Sequence, residues 1–316
     1  MGFISKLINS KEATNELARN SVLLKEMDDA TVRRMQDTLF EMYHDVKPVC
    51  DRYNIPLYLI GGSALGAVRH HGFIPWDDDM DLAMTRKDYE KFKIVFEQEL
   101  GDKYILNSPN YSEKPCHKYP RILKKDSYYR AIIDSAREDL HCIFLDLFII
   151  ENTPDNSFVR KVKGTFCNFL NILSWEVFIW ENRNQEVKEF LMSGGALNYY
   201  IRIAIGCLFS FRNSAKWFNT FDKAIQHKNE ASINCCLATG RKRYFGEIFL
   251  RNQFFPGVFR EFRNEQVLLF QDLDDYLKNL YGNYMQLPPV EKRERHNVCE
   301  VYFSREEFKA SRRQNK

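Results

Sequence analysis

A chain of 316 residues that is 44% hydrophobic and 14% aromatic can bury one large core or two modest ones, which excludes a disordered or fibrous protein. Its 46 Lys and Arg stand against 43 Asp and Glu, and a net charge of only +3 excludes a duplex nucleic-acid binder that depends on neutralising many phosphates. Any basic function has to be local.

The opening stretch MGFISKLINSKEATNELARN has no long apolar run and no small-residue cleavage site, so no secretory signal is expected, and Lys6 stands where a myristoylation motif needs Ser or Thr. From Asp28 to Tyr53 apolar residues recur at Val32, Met35, Leu39, Met42, Val46, Val49 and Tyr53, the spacing of an amphipathic helix, which Pro48 is expected to kink. IPLYLIGG reads as a short buried strand from Pro56 to Ile60 closed by glycines. Ser63 to His70 suits a short helix, capped by Ser63 and ended by Gly72.

MDLAM is the second expected strand, and Thr85 caps a helix that puts Tyr89, Phe92, Phe96 and Leu100 on one face before Gly101 stops it. CIFLDLFII, Cys142 to Ile150, is apolar enough for the centre of a sheet except at Asp146. From about Asn156 to Leu250 helical patterns follow with little turn punctuation. The expected class is α/β (α+β), a mixed sheet with flanking helices and a mostly helical second lobe. The expected division is an N-terminal extension at 1–27, a catalytic core at 28–155, a helical insert at 156–250 and a C-terminal region at 251–316.

Eight cysteines form no C-x-x-C pair and no metal-ligand rhythm, which fits reduced cytosolic thiols better than a disulfide framework. The charge-free runs Gly164 to Trp175 and Ile203 to Phe211 fall far short of the roughly 20 residues that cross a bilayer. Flanked by Lys161, Lys163, Arg202 and Arg212, they read as core helices first and interfacial helices second. Weak peripheral contact with a membrane is the expectation.

The chemistry concentrates between Gly61 and Met84, where four aspartates occupy five positions: Asp77, Asp78, Asp79 and Asp81. On a strand, Asp79 and Asp81 share one face while Met80 and Leu82 point into the core. Two residues of strand separate the carboxylates by roughly 6.6 Å, a span that brackets metal ions about 3.5–4 Å apart. Oxygen-only ligands favour Mg²⁺ or Mn²⁺, and Asp146 is the natural third ligand if its strand lies beside the second. Gly61 and Gly62 would let backbone approach a phosphate at a helix start. A P-loop is rejected because Ala67-Val68 stands where Lys-Ser/Thr should follow, and the dinucleotide fingerprint lacks its middle glycine. The alternative for each element alone is a turn or a solvated loop. Arg69, Arg121 and Lys124 are candidate phosphate contacts, with Lys125, Lys292, Arg293, Arg295 and His296 as further basic positions, and Trp76 either stacks on a base or seals the core.

LIGGSALGAVRHHGFIPWDDDMDL resembles the signature of the LicD family, in the nucleotidyltransferase superfamily, and Tyr276 to His296, YLKNLYGNYMQLPPVEKRERH, resembles the closing motif of that family. The resemblance spans about residues 30–150 and 265–296. It implies a nucleotidyltransferase-type fold whose glycine pair is Gly61 and Gly62 and whose acidic triad is Asp79, Asp81 and Asp146. The implied activity is metal-dependent transfer of a phospho-alcohol, typically phosphocholine from CDP-choline, to a hydroxyl of a cell-surface glycan such as lipopolysaccharide, capsule or teichoic acid. Ser63 joins the implied donor-binding set, and Asp146 is the first choice to take the acceptor proton. Transfer of a nucleotide to the acceptor, or a non-catalytic scaffold of a glycan assembly complex, are the rivals.

Overall fold

The computed structural model describes residues 27–193, 195–290, 293 and 298–314. The N-terminal extension expected at 1–27 lies outside the described residues but for Met27, as do the basic positions Lys292, Arg295 and His296.

Helix α1, Asp29–Arg52, forms where the apolar stripe was read, with the Asp28 carboxylate capping it by accepting from the Thr31 N–H. Its buried stripe of Met35, Leu39, Met42 and Val46 joins the main core. Strand β1 is short, Tyr58–Leu59, and leads straight into α2, Gly61–His70. Strand β2 is Asp81–Thr85, and Thr85 caps α3, Arg86–Leu100, by accepting from the Asp88 N–H. The left-handed residue that ends α2 is His71, φ 53°, and not the glycine expected to stop it.

Three strands then follow, β3 Tyr104–Asn107, β4 Arg121–Lys124 and β5 Tyr128–Ala131, before the nine-residue β6, Phe144–Asn152. The helical stretch holds α4 Ser157–Glu181, α5 Gln185–Ser193, α6 Ala196–Leu208 and α7 Ser214–Ile225. Helical periodicity was expected to run on to Leu250, but two short strands, β7 Asn234–Cys236 and β8 Ile248–Leu250, occupy its end. Apart from a 3-10 turn at Glu138–Leu140 and two four-residue helical turns, Arg243–Gly246 and Arg251–Phe254, the remaining elements are β9 Val258–Phe262, β10 Glu265–Leu269, α8 Leu273–Tyr281, β11 Val298–Tyr302 and α9 Arg305–Gln314.

Among the described residues the main sheet has nine strands, seven of them in the order β3-β4-β6-β2-β1-β10-β9, with β7 paired to the far end of β6 and β8 to β7. It is mixed: β2 runs parallel to β6 and β1 to β10, while β1–β2, β4–β6 and β9–β10 are antiparallel. The β9–β10 hairpin turns on Arg263 and Asn264, both at positive φ, the geometry of a tight two-residue turn. This is an α/β architecture with helices flanking a mixed sheet. The four helices from Ser157 to Ile225 form a lobe with small clusters of its own, one around Ile179, Val187, Phe190 and Tyr199, another around Cys167, Leu170, Phe221 and Tyr244.

A buried charge network ties that lobe to the sheet. Arg86, the first residue of α3, donates to Glu151 on β6 and to Asp222 on α7, the latter at 2.7 Å. Burial opposes the Arg86 cation, yet the two carboxylates outweigh it and raise its pKa. All eight cysteines are free and seven are buried. No described helix is long and apolar enough to cross a membrane.

Candidate active site

The glycine pair makes room for carboxylates. Gly61 opens α2 at φ +54°, and a Cβ there would lie 2.4 Å from Asp81 Oδ2; a Cβ on Gly62 would lie 2.7 Å from Asp77 Oδ2. Two carboxylates thus sit against the first turn of a helix, where the backbone dipole favours negative charge. The Gly61 N–H donates to the Tyr276 hydroxyl at 3.0 Å. Ser63 does not cap this helix: the N-cap is Ile60, which has no side-chain bond, and the buried Ser63 Oγ accepts from the Asp81 N–H at 2.9 Å. The serine therefore fixes the backbone that carries Asp81.

Register brings the second acidic element in. Asp81, the first residue of β2, is the direct partner of Asp146 on the parallel neighbour β6, and Asp146 is in turn the partner of Arg121 on β4. Side chains of register partners lie on one face of a sheet, so Asp81, Asp146 and Arg121 form a row. Asp79 lies on the extended approach to β2 rather than within it, but the expected alternation stands, since Met80 and Leu82 are fully buried while Asp79 and Asp81 are partly exposed. The Met80 carbonyl accepts from the Asp146 N–H at 3.3 Å.

Asp146 is buried and engaged on both oxygens: Arg121 Nε donates to Oδ1 at 2.8 Å and the Tyr119 hydroxyl to Oδ2 at 3.1 Å. The Arg121 guanidinium also lies 4.0 Å from the centroid of the Phe144 ring and 3.6 Å from Asp134. Burial works against this cation, but Asp146 foremost holds its pKa well above the ordinary value. Burial, with Asp146 next, pushes the Tyr119 phenol well up, so it acts as a donor.

The closing segment packs onto the same place. Tyr276 touches Gly61 as described, Arg69 Nη1 donates to the Tyr284 carbonyl at 2.7 Å, and Arg69 Nε lies 2.9 Å from His70 Nε2. Burial raises the Tyr281 phenol well above its usual pKa, and Asp81, Asp77 and Asp79 add to the shift. Arg241 lies over the Tyr281 ring at 5.3 Å. Trp76 carries the Arg293 guanidinium at 4.1 Å on its face and packs against the main core, the sealing role of its two expected ones.

The structure thus groups Gly61, Gly62, Ser63, Arg69, Asp79, Asp81, Arg121 and Asp146. Lys124 is not part of that group. Three positions along β4 from Arg121, it points to the opposite face, where it lies 3.7 Å from Glu41 on α1. Tyr119, Tyr276 and Tyr281 are the site-lining residues that spacing did not reveal; the latter two lie in the closing motif, but only the fold shows that they reach the acidic cluster.

Asp79, Asp81 and Asp146 are all-oxygen donors on one side of the sheet, the chemistry that suits Mg²⁺ or Mn²⁺, and the cradle over Gly61 leaves Asp81 at the helix start. Among the described residues no three His, Cys, Asp or Glu side chains converge closely enough to hold one ion. Asp146 is instead engaged by Arg121 and Tyr119.

A mixed α/β sheet with aspartates on adjacent parallel strands beneath a glycine turn agrees with the nucleotidyltransferase-type fold that the resemblance implies. Residues 54–168 match the family described as LicD/FKTN/FKRP, nucleotidyltransferase domain. The lipopolysaccharide cholinephosphotransferase LicD of Haemophilus influenzae is 27% identical over 287 residues, 87% of this chain and 99% of that protein. Two uncharacterised Rickettsia proteins match shorter stretches: one from R. typhi at 32% over 23% of this chain and 25% of its own length, one from R. prowazekii at 37% over 29% and 40%. Residues 54–168 thus carry a nucleotidyltransferase domain like that of the LicD family, and the chain is a transferase.

Proposed function

We propose that this transferase moves a phospho-alcohol from a CDP-alcohol, with phosphocholine from CDP-choline first among the donors, to a hydroxyl of a cell-surface glycan. The observation that carries the reading is the meeting of two segments distant in sequence, residues 61–81 and 276–284, around the Asp81–Asp146 pair. Likeness along nearly the whole length of a lipopolysaccharide cholinephosphotransferase supports the choice of donor and acceptor class.

Asp79 and Asp81, with Asp146, would hold Mg²⁺ or Mn²⁺. When bound, such a cation supplies charge neutralisation on a diphosphate. In the transfer, an acceptor hydroxyl oxygen forms a bond to the alcohol-bearing phosphorus, the bond from that phosphorus to the bridging oxygen breaks, and CMP departs with the bonding pair. Asp146 takes the hydroxyl proton once the Tyr119 hydroxyl gives up its oxygen. Ser63 holds the Asp81 backbone in place, and Arg69 and Arg121 are the cations we assign to the donor's diphosphate. The work of the residues is positioning and charge, as phosphoryl transfer requires.

The place of action we propose is the cytoplasm, in keeping with eight free thiols. The test is a donor labelled separately in its choline and cytidine halves, incubated with Mg²⁺ and a glycan acceptor. Label from choline on the glycan, with free CMP, supports the reading; cytidine label on the glycan would assign nucleotide transfer instead.

A further inference from the structure

We propose that the outer face of α4 and α6 is a docking surface for an anionic lipid bilayer. Along α4 one stripe faces solvent at Phe158, Val162, Phe166 and Phe169, which are 73%, 57%, 53% and 52% exposed. Along α6 and the turn after it a second stripe does the same at Leu197, Tyr200, Leu208 and Phe211, at 62%, 57%, 70% and 78%. The two stripes are continuous: the Phe169 ring lies 6.5 Å from that of Phe209, which lies 6.2 Å from that of Phe211. Soluble surfaces seldom gather so many large apolar side chains on two adjoining helices.

Charge decides the partner. From Ser157 to Trp175 the chain has Arg160, Lys161 and Lys163 and no carboxylate; from Phe190 to Phe221 it has Arg202, Arg212 and Lys216 and again none. Arg202 is taken up by Glu176, but Lys161 and Lys216 are exposed and Arg212 lies over Trp217 at 5.0 Å beside the apolar turn. An apolar face with basic residues at its margin is the composition that inserts shallowly between anionic headgroups. Since no described helix can span a bilayer, the contact lies in the plane of the surface.

The same helix α4 reaches the acidic cluster from its inner side. Asn171 accepts from Lys118 Nζ at 3.0 Å, and Trp175 packs on His117, whose ring lies 3.9 Å from that of Tyr119. A membrane-borne acceptor would therefore meet the helix that also borders the site. The inference does not depend on the proposed chemistry.

Vesicle flotation tests it with the full chain, comparing equal parts phosphatidylcholine and phosphatidylglycerol with pure phosphatidylcholine. Binding to the anionic vesicles at low salt is expected, weaker by about tenfold on neutral vesicles and at high salt. The double substitution Leu208→Ser and Phe211→Ser removes two side chains that contribute little to the core, so the variant stays folded and loses about tenfold in partitioning. No binding at low salt, or equal binding by the double variant, overturns the proposal. So does light scattering that shows a dimer of the wild type which the double substitution dissolves, because the face would then belong to a second copy.

Discussion

Gly61 stands so close to Asp81 that a methyl group on it would overlap the carboxylate, with Cβ 2.4 Å from Oδ2. The position also has φ +54°, which any L residue adopts at a cost of about 1–2 kcal/mol. Gly61→Ala is therefore expected to lower stability by about 1–3 kcal/mol, from the backbone and the displaced carboxylate together. Activity should fall further than stability explains, because Asp81 moves. Equilibrium urea unfolding beside a turnover assay checks both, and a Gly61→Ala enzyme with wild-type values for each would refute the tight cradle.

Arg121 and Asp146 form a buried pair with side chains only 13% and 10% exposed. Removing one partner of such a pair leaves a buried charge and costs about 3–5 kcal/mol, so Arg121→Met should melt well below the wild type. If Asp146 also serves a divalent cation, Mg²⁺ replaces part of the missing charge and raises the variant's melting temperature more than that of the wild type. Equal Mg²⁺ shifts for the two proteins would remove Asp146 from the cation site.

The Arg86 network joins β6, α3 and α7, and its loss acts on packing rather than on chemistry. Burial raises the pKa of Glu151 even with Arg86 beside it, a measure of how poorly this carboxylate is solvated. Arg86→Met is expected to destabilise by about 3–5 kcal/mol while the folded fraction turns over at the normal rate. A large loss of kcat at a temperature where the variant is fully folded would contradict that division of roles.

His117 gives a pH dependence with a definite sign. Its Nδ1 is buried without a hydrogen-bond partner, and burial first, then Arg121 and Lys118, hold its pKa well below 6.5. Below pH 6.5 the unfolded chain binds a proton here that the folded chain refuses, so stability is complete above that pH and declines as the pH falls beneath it, at up to about 1.4 kcal/mol per pH unit. Burial lowers His141 in the same direction, so His117→Asn should flatten the acid limb of a melting-temperature profile only in part. An unchanged acid limb would mean that His117 takes up its proton without resistance.

The long amphipathic elements were legible because periodicity over many residues reports a buried face: α1 and α3, with the caps Asp28 and Thr85, lie as their sequences indicate. Asp146 could be singled out as the one carboxylate in an apolar run, and β6 does neighbour β2. What stayed hidden were short strands such as β3, β4 and β7, three or four residues each, in which no period can be established. The β9–β10 hairpin was also missed, because its turn uses Arg263-Asn264 instead of a glycine pair signal. At the site, Ser63 looked like a helix cap, but its hydroxyl goes to Asp81, a partner set by tertiary packing. The tyrosines were silent for the same reason: Tyr276 lies 215 residues from Gly61, and only the fold brings its hydroxyl there. On α4 the apolar run suggested core, whereas the structure buries one face of the helix and exposes the other.

Asp81→Asn keeps the side chain's size against Gly61 and removes only its charge, which makes it the cleanest probe of the acidic cluster. The measurement is the rate of CMP release from CDP-choline, with Mg²⁺ and a glycan acceptor, by wild type and variant at matched folded fractions. A fall on the order of 10²–10³ with an unchanged melting temperature is expected, since the charge serves transfer and not folding. Near-wild-type CMP release by Asp81→Asn would contradict the assignment of transfer to the Asp81–Asp146 site.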